Sequence, residues 1–248
     1  MKAVLPAAGR GLRMASTTAG LPKELLQVAG REVLLWGLEE ALQAGVEGVV
    51  VITSPSKPEI AGFLNQAELS LPVQTEVQYE PNGLGHAVSL VGVENDVLVI
   101  LPDTIFYPQS PSKRVAAAIK AGADMSFAIE TVSDAEVPHY GILKLDLETN
   151  TVLGIVEKPS LGEAPSRSAI AGRVGLSRRM MEFLDEFLAA QDVDGSEQGW
   201  TPAFNAAIVA GLSAVSVPIQ LDEQRFDCGS PVGYSRARSF IKGSPALE

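Results

Sequence analysis

The chain has 248 residues, 46% of them apolar and 20% charged, which suits a soluble protein with one substantial core. Its formal net charge of −11 argues against a nucleic-acid or anionic-membrane surface, and no apolar run approaches the roughly 20 residues that span a bilayer. A single cysteine, Cys228, excludes an internal disulfide, and Pro6 and Gly9 interrupt the first residues where a signal peptide would be apolar. A cytoplasmic protein is expected. Residues 1–23 carry Lys2, Arg10, Arg13 and Lys23 and no acid, so an acidic chain keeps one basic segment free, either for an anion or by chance.

Lys2–Pro6 reads as a buried strand and Gly48–Thr53 as another. Between them Leu34, Leu35, Leu38, Ala41 and Leu42 recur at helical spacing, with Gly45 as the stop. This strand, loop, helix and strand predict two neighbouring parallel strands. Val97–Leu101 is a third buried strand, Val115–Ala121 a helix and Met125–Glu130 a fourth strand. The expected fold class is α/β: a Rossmann-like mixed, mostly parallel central sheet with helices on both faces.

After about residue 137 the texture changes. Tyr140–Leu145 and Thr151–Glu157 read as strands joined by a turn. Arg178–Ala190 reads as a helix, Gln191–Gln198 as an exposed loop, Pro202–Ala210 as a helix with Pro at its start, Ala214–Pro218 as a strand and Pro231–Ile241 as a closing helix. No linker marks a boundary. One domain is expected over 1–248, with a first half over about 1–137 and a smaller, substrate-side half over about 138–241 that completes the same sheet.

The run Leu5 to Met14, LPAAGRGLRM, directly follows the first strand. Small residues there let backbone N–H groups approach a phosphate, and Arg13 offers a planar fork of donors. Ligands of open α/β sheets bind at this end of the strands. The run is neither a dinucleotide fingerprint nor a Walker loop, since the third glycine and a Gly-Lys-Ser/Thr are missing. A glycine-rich turn with solvated arginines is the plain alternative. Asp103 after Pro102 could be a turn or capping residue, and Asp227 a turn acid beside Gly229. As a pair they could hold a hard cation.

Taken in order, the motifs resemble the sugar-phosphate nucleotidylyltransferase family, with the closest likeness to the bacterial UTP–glucose-1-phosphate uridylyltransferase branch. They are A-A-G-x-G-x-R with Pro22-Lys23-Glu24, Gln78 ahead of Gly83-Leu84-Gly85-His86-Ala87, Leu101-Pro102-Asp103, Tyr140-Gly141, Glu157-Lys158-Pro159, Ala169-Ile170-Ala171-Gly172-Arg173 and Phe226-Asp227-Cys228-Gly229. The likeness covers about residues 2–241.

The resemblance implies the nucleotide-diphospho-sugar transferase fold and transfer of a nucleotidyl group from a nucleoside triphosphate, UTP favoured, to a sugar 1-phosphate, glucose 1-phosphate favoured. It implies that Arg13 grips the outer phosphates, that Lys23 bridges the reacting phosphates, and that Asp103 and Asp227 hold Mg²⁺. By the same likeness about 1–137 is the nucleotide-binding half, where Ala7, Ala8, Gly9, Gly11, Arg13, Gln78, Gly83 and Asp103 contact the nucleotide. About 138–241 is the sugar-binding half, where Gly141, Glu157, Lys158 and Gly172 contact the sugar phosphate, with Lys158 catalytic beside Arg13 and Lys23. A homo-oligomer is implied as well. A thymidylyl- or cytidylyltransferase, or a silent regulatory paralogue that binds nucleotide sugar, are the alternatives. Leu12 stands where the family usually has Thr, Ser16–Leu21 lacks the usual proline-and-lysine flavour, and Glu197 to Asn205 replaces an acidic sugar-side motif. Those departures bear on the sugar more than on the chemistry.

Overall fold

A computed structural model describes residues 1–191 and 199–241. The expected loop over 191–198 and the first two residues of the altered 197–205 stretch therefore lie almost wholly outside the described residues. No helix among the described residues is long and apolar enough to cross a membrane.

The strands are β1 (Lys2–Pro6), β2 (Gln27–Val28), β3 (Arg31–Glu32), β4 (Val49–Thr53), β5 (Val73–Val77), β6 (Val97–Ile100) and β7 (Thr104–Pro108), then β8 (Met125–Thr131), β9 (Gly141–Asp146), β10 (Thr151–Glu157), β11 (Ser168–Leu176), β12 (Ala214–Pro218) and β13 (Glu223–Asp227). The helices are α1 (Ala15–Thr18), α2 (Val33–Gln43), α3 (Pro58–Gln66), α4 (Gly83–Ser89), α5 (Ser112–Lys120), α6 (Arg178–Ala189), α7 (Trp200–Val209) and α8 (Pro231–Phe240).

Nine strands form one sheet in the order β5-β4-β1-β6-β11-β8-β12-β10-β9. The expected pairing of the first two long strands holds, with Ala3 opposite Val49 in parallel register. Strands β1, β4 and β6 are apolar but for Lys2 and Thr53 at their ends, because each faces helices on both sides. Val4, Val50, Val97 and Val99 point into the core under α4, α6 and α7. Ala3, Leu5, Val49, Val51, Leu98 and Ile100 point into the core under α2, α3 and α5. Helices thus cover both faces, as expected. The second half contributes β9, β10, β11 and β12 to this same sheet.

The sheet is parallel only in part. The β5-β4-β1-β6 half is parallel throughout. Strand β11 then runs antiparallel to both neighbours, β6 and β8, and β10 runs antiparallel to β9 and β12. The expectation of a mostly parallel sheet holds for the first half, while the second is mixed, with β8 and β12 its one parallel pair among the described strands. The causes are β11, whose apolar pattern Gly172, Arg173 and Gly175 interrupt, and the β9–β10 hairpin, which turns β10 against β12 as well.

Strand β11 is also packed closely against α5. A Cβ on Gly175 would lie 2.7 Å from Ile119 Cγ1 in α5, and closer still to Ser126 Oγ. Gly175→Ala therefore overpacks the α5 contact and lowers unfolding free energy by about 2–3 kcal/mol, read as a lower denaturant midpoint.

Local signals account for the helix starts. Ser177 accepts a hydrogen bond from the Met180 amide at 3.1 Å to cap α6, and Ser230 caps α8 through the Gly233 amide at 3.2 Å with Pro231 behind it. Helix α7 begins at Trp200, two residues ahead of the expected start, with Pro202 still in the first turn where its missing N–H costs nothing.

Candidate active site

Strand β1 delivers the chain to the glycine-rich run. The Ala7 amide donates to Ile52 O at 2.7 Å, continuing the ladder one residue past the strand. The chain then turns outward. Gly9, Arg10, Leu12 and Arg13 are exposed, while Met14 is fully buried and anchors the far end of the run. Leu12, in the place of the expected hydroxyl residue, is 76% exposed.

Beneath this run lies a contact that sequence reasoning missed. Lys57 Nζ donates to Ala7 O at 2.7 Å and to both Glu24 oxygens at 3.0 Å. Lys57 and Glu24 are both buried. Burial pushes the Lys57 ammonium below its ordinary value, against the pull of Glu24. The pair ties the end of β1 to the residue that follows Lys23. A lysine in SPSKPEI carries no local sign of this, because its partner is far away in sequence.

A cleft of about 510 Å³ opens over the run. Ala8, Gly9, Gly11, Arg13, Gln78 and Gly83 all line it, as does Lys23. Ala7, expected in the same group, does not reach the cleft. Its side chain is in the core, and its amide and carbonyl are taken by Ile52 and Lys57. Gln78, which could have been an exposed strand residue, is buried. Its amide nitrogen lies 3.0 Å from Gly83 O and 3.0 Å from His86 Nδ1. Those contacts fix the wall formed by the start of α4.

At one side of the cleft the two acids meet. Strands β7 and β13 pair antiparallel with Asp227 opposite Thr104, so Asp227 stands beside Asp103. A Cβ on Gly229, a cleft residue, would lie 2.7 Å from Asp103 Oδ2 and 2.9 Å from Asp227 Oδ1. Both carboxylates thus converge on a point that a glycine leaves open. Lys23 Nζ donates to Asp103 Oδ2 in an ion pair whose side chains are 14% and 18% exposed. Burial pushes the Asp103 carboxyl up, but the Lys23 ammonium and the Arg13 charge prevail and hold it below its ordinary range. Burial pulls the Lys23 ammonium down, yet Asp103 and Glu24 prevail and hold it above its ordinary value. Among the described residues no group of three or more His, Cys, Asp or Glu is placed to hold a metal, so the acids stand as a pair. Cys228 between them is buried, with its thiol pushed to about 12 by burial and the two acids, as suits a small apolar residue.

The sugar-side residues form a second group. A Cβ on Gly141 would lie 3.2 Å from Glu157 Oε2, and Lys158 Nζ lies 3.7 Å from Glu157 Oε1. Thr201 Oγ1 donates to Glu157 Oε2 at 3.0 Å, and Asn205 clasps the Ile155 backbone with bonds of 2.9 and 2.8 Å. The described part of the altered stretch, residues 199–205, thus opens α7 and orients Glu157. Strand β11 links this group to the acids. Ala169 pairs with Ile142 beside Gly141, and Gly172, roughly 10 Å along the strand, packs on Leu101 and Thr104.

A profile of the family described as nucleotidyl transferase matches residues 2–242. The chain belongs to the nucleotidyl transferase family. This nucleotidyltransferase is 31% identical to the UTP–glucose-1-phosphate uridylyltransferase of Bacillus subtilis, over 75% of this chain and 73% of that one. It is similar in structure to UDP-glucose pyrophosphorylase from Acinetobacter baumannii, with a TM-score of 0.80 at 29% identity over 96% of this chain and 91% of that one. A UDP-glucose pyrophosphorylase complexed with UDP-glucose gives a TM-score of 0.80 at 27% identity, covering 96% of this chain and 97% of that one. The transferase is therefore an enzyme of nucleotidyl transfer, with the fold that its motifs implied.

Proposed function

We propose that this transferase moves a uridylyl group from UTP to glucose 1-phosphate and releases pyrophosphate. A phosphate oxygen of the sugar phosphate forms a bond to the α-phosphorus. The bond from that phosphorus to the β-bridging oxygen breaks, and its electron pair leaves with pyrophosphate. Such a reaction asks for positioning and charge neutralisation more than for acid or base chemistry.

The observation that carries this reading is the convergence of Asp103, ion-paired to Lys23, and Asp227 on Gly229 at the edge of the glycine-lined cleft. Arg13 holds the outer phosphates and the developing charge of the leaving pyrophosphate. The backbone of Ala8, Gly9 and Gly11 lets the triphosphate approach, with Ala7 supporting from below. Gln78 and the Gly83 backbone meet the base. Lys23 spans the reacting phosphates, Lys158 holds the sugar phosphate, and Glu157, Gly141 and Gly172 surround the sugar. Two hard carboxylate oxygens converging where no Cβ intrudes suit Mg²⁺, which keeps several waters and takes phosphate oxygens as further ligands. Bound there by Asp103 and Asp227, Mg²⁺ would neutralise triphosphate charge. Both halves of the chain act as one catalytic unit, in the cytoplasm and as a homo-oligomer.

The choice of UTP and glucose 1-phosphate follows the named relatives. A panel of UTP, dTTP and CTP against several sugar 1-phosphates with Mg²⁺, read by pyrophosphate release, tests it. UTP with glucose 1-phosphate gives the highest kcat/KM. A preference for dTTP or CTP replaces the base assignment, and no release from any pair refutes the transferase roles given to these residues.

A further inference from the structure

Arg173, in the middle of β11, is completely buried and no substrate role falls to it. Every N–H of its guanidinium is spent. Nε donates to Glu40 Oε1 at 2.6 Å and Nη2 to Glu40 Oε2 at 2.7 Å, a bidentate pair with the buried acid of α2. Nη1 donates to Gly172 O at 2.9 Å and to Leu101 O at 3.3 Å, and Nη2 also donates to Thr104 O at 2.8 Å. Leu101 and Thr104 bracket Asp103.

The surroundings hold this arrangement from all sides. The Thr104 amide donates to Leu101 O at 3.2 Å, closing the turn that carries Asp103. The Leu101 amide donates to Gly172 O at 3.1 Å. Gly172 has φ +77°, a left-handed conformation that swings its carbonyl toward both Leu101 and the guanidinium. Ser110 and Ser112 donate their hydroxyls to Glu40, and the Phe106 ring centroid lies 4.9 Å from the guanidinium carbon. A buried ion pair adds little stability compared with apolar residues of the same volume. What it does here is fix the direction of a turn.

We infer that Arg173 is a positioning residue: paired with Glu40, it clamps the Leu101–Thr104 turn so that the Asp103 carboxylate stays aimed at the point it shares with Asp227. The inference rests on the reading of Asp103 as a cation ligand. Groups that orient a metal ligand without touching the metal typically set affinity or rate by about 10–100-fold.

The test is Arg173→Lys in the full chain. The lysine keeps a positive charge for Glu40, but one ammonium has only three donors and no fork, so it cannot hold both Glu40 oxygens and both turn carbonyls. Mn²⁺ binding is titrated by electron paramagnetic resonance on wild type, Arg173→Lys and Asp103→Asn, and kcat and triphosphate KM are measured beside it. Arg173→Lys weakens Mn²⁺ binding by about tenfold and lowers kcat comparably, with triphosphate KM little changed. A folded Arg173→Lys with wild-type Mn²⁺ affinity and kcat, beside an Asp103→Asn that has lost Mn²⁺, overturns the positioning role alone. An Asp103→Asn that binds Mn²⁺ as wild type does overturns the ligand reading and the clamp with it. If Arg173→Lys does not fold, Ser112→Ala loosens Glu40 without touching the cleft. It weakens Mn²⁺ binding by about threefold, and an unchanged affinity rejects the clamp.

Discussion

Asp103→Asn lowers kcat by about 10³-fold and removes the thermal stabilisation that Mg²⁺ with triphosphate confers on the wild type. Asn keeps the size of the side chain and one acceptor oxygen, so the turn survives. It loses the charge, and with it half of the carboxylate pair that meets at Gly229. Steady-state kinetics and melting curves with and without Mg²⁺ and triphosphate check this. An Asn variant with wild-type turnover would show that the acid is a turn residue and nothing more.

The pH dependence of the Lys23–Asp103 pair separates its structural from its catalytic part. The folded Asp103 carboxyl lies below its ordinary value of 3.8, so its contribution to stability is present above that pH and is lost only as pH falls through the lower folded value. Lys23 lies above its ordinary 10.5, so its contribution is present below that pH and is lost only as pH rises through the higher folded value. Between about pH 5 and pH 8 the stability difference between wild type and Asp103→Asn is therefore constant. Above that, Lys23 of the variant, buried without its acid, gives up its proton more readily and the difference shrinks. A difference that changed near neutrality would assign the pairing to other groups.

Lys23→Ala lowers kcat by about 10²–10³-fold and lowers kcat/KM to the same degree, because the ammonium is called on most where charge shifts between the phosphates. Metal binding moves the opposite way. In the structure Lys23 neutralises Asp103, so it is the cation with which a metal competes. Without Lys23 the metal meets an unpaired acid and binds at least as tightly as to wild type, in an Mn²⁺ titration above neutral pH. Without the ammonium, burial of Asp103 is opposed only by Arg13 and a backbone hydrogen bond, so its carboxyl lies higher than in wild type and the gain shrinks as pH falls and protons compete. Loss of both turnover and Mn²⁺ affinity in Lys23→Ala would make the lysine a structural support of the acids and not a group that works on phosphate.

How much of this was legible beforehand differs from residue to residue. The run from Leu5 to Arg13 was readable as a phosphate loop because its glycines, its arginine and its place after a buried strand are all local. That Asp103 and Asp227 meet was readable only through family resemblance. The strands that bring them together are β7, a short apolar TIFYP run ending in proline, and β13, a polar EQRFD run, and they pair with each other outside the main sheet. Strand β11 went unread because Gly172, Arg173 and Gly175 break its apolar pattern, and each exists for a neighbour far off in the chain: the Asp103 turn, Glu40 and α5. Thr201 and Lys57 were missed for the same reason, since nothing adjacent to either names its partner.

Local pattern thus sufficed for β1, β4 and β6 of the parallel half, for α2 and α5 to α8 and for the glycine-rich run, because hydrophobic periodicity and backbone permissiveness act within a few residues, while β5 and α3 went unread. The antiparallel insertion of β11, the approach of the two acids and the buried Arg173–Glu40 and Lys57–Glu24 pairs were decided in three dimensions. A buried charge is stable only beside a partner that folding brings to it, and that partner leaves no mark on the sequence around the charge.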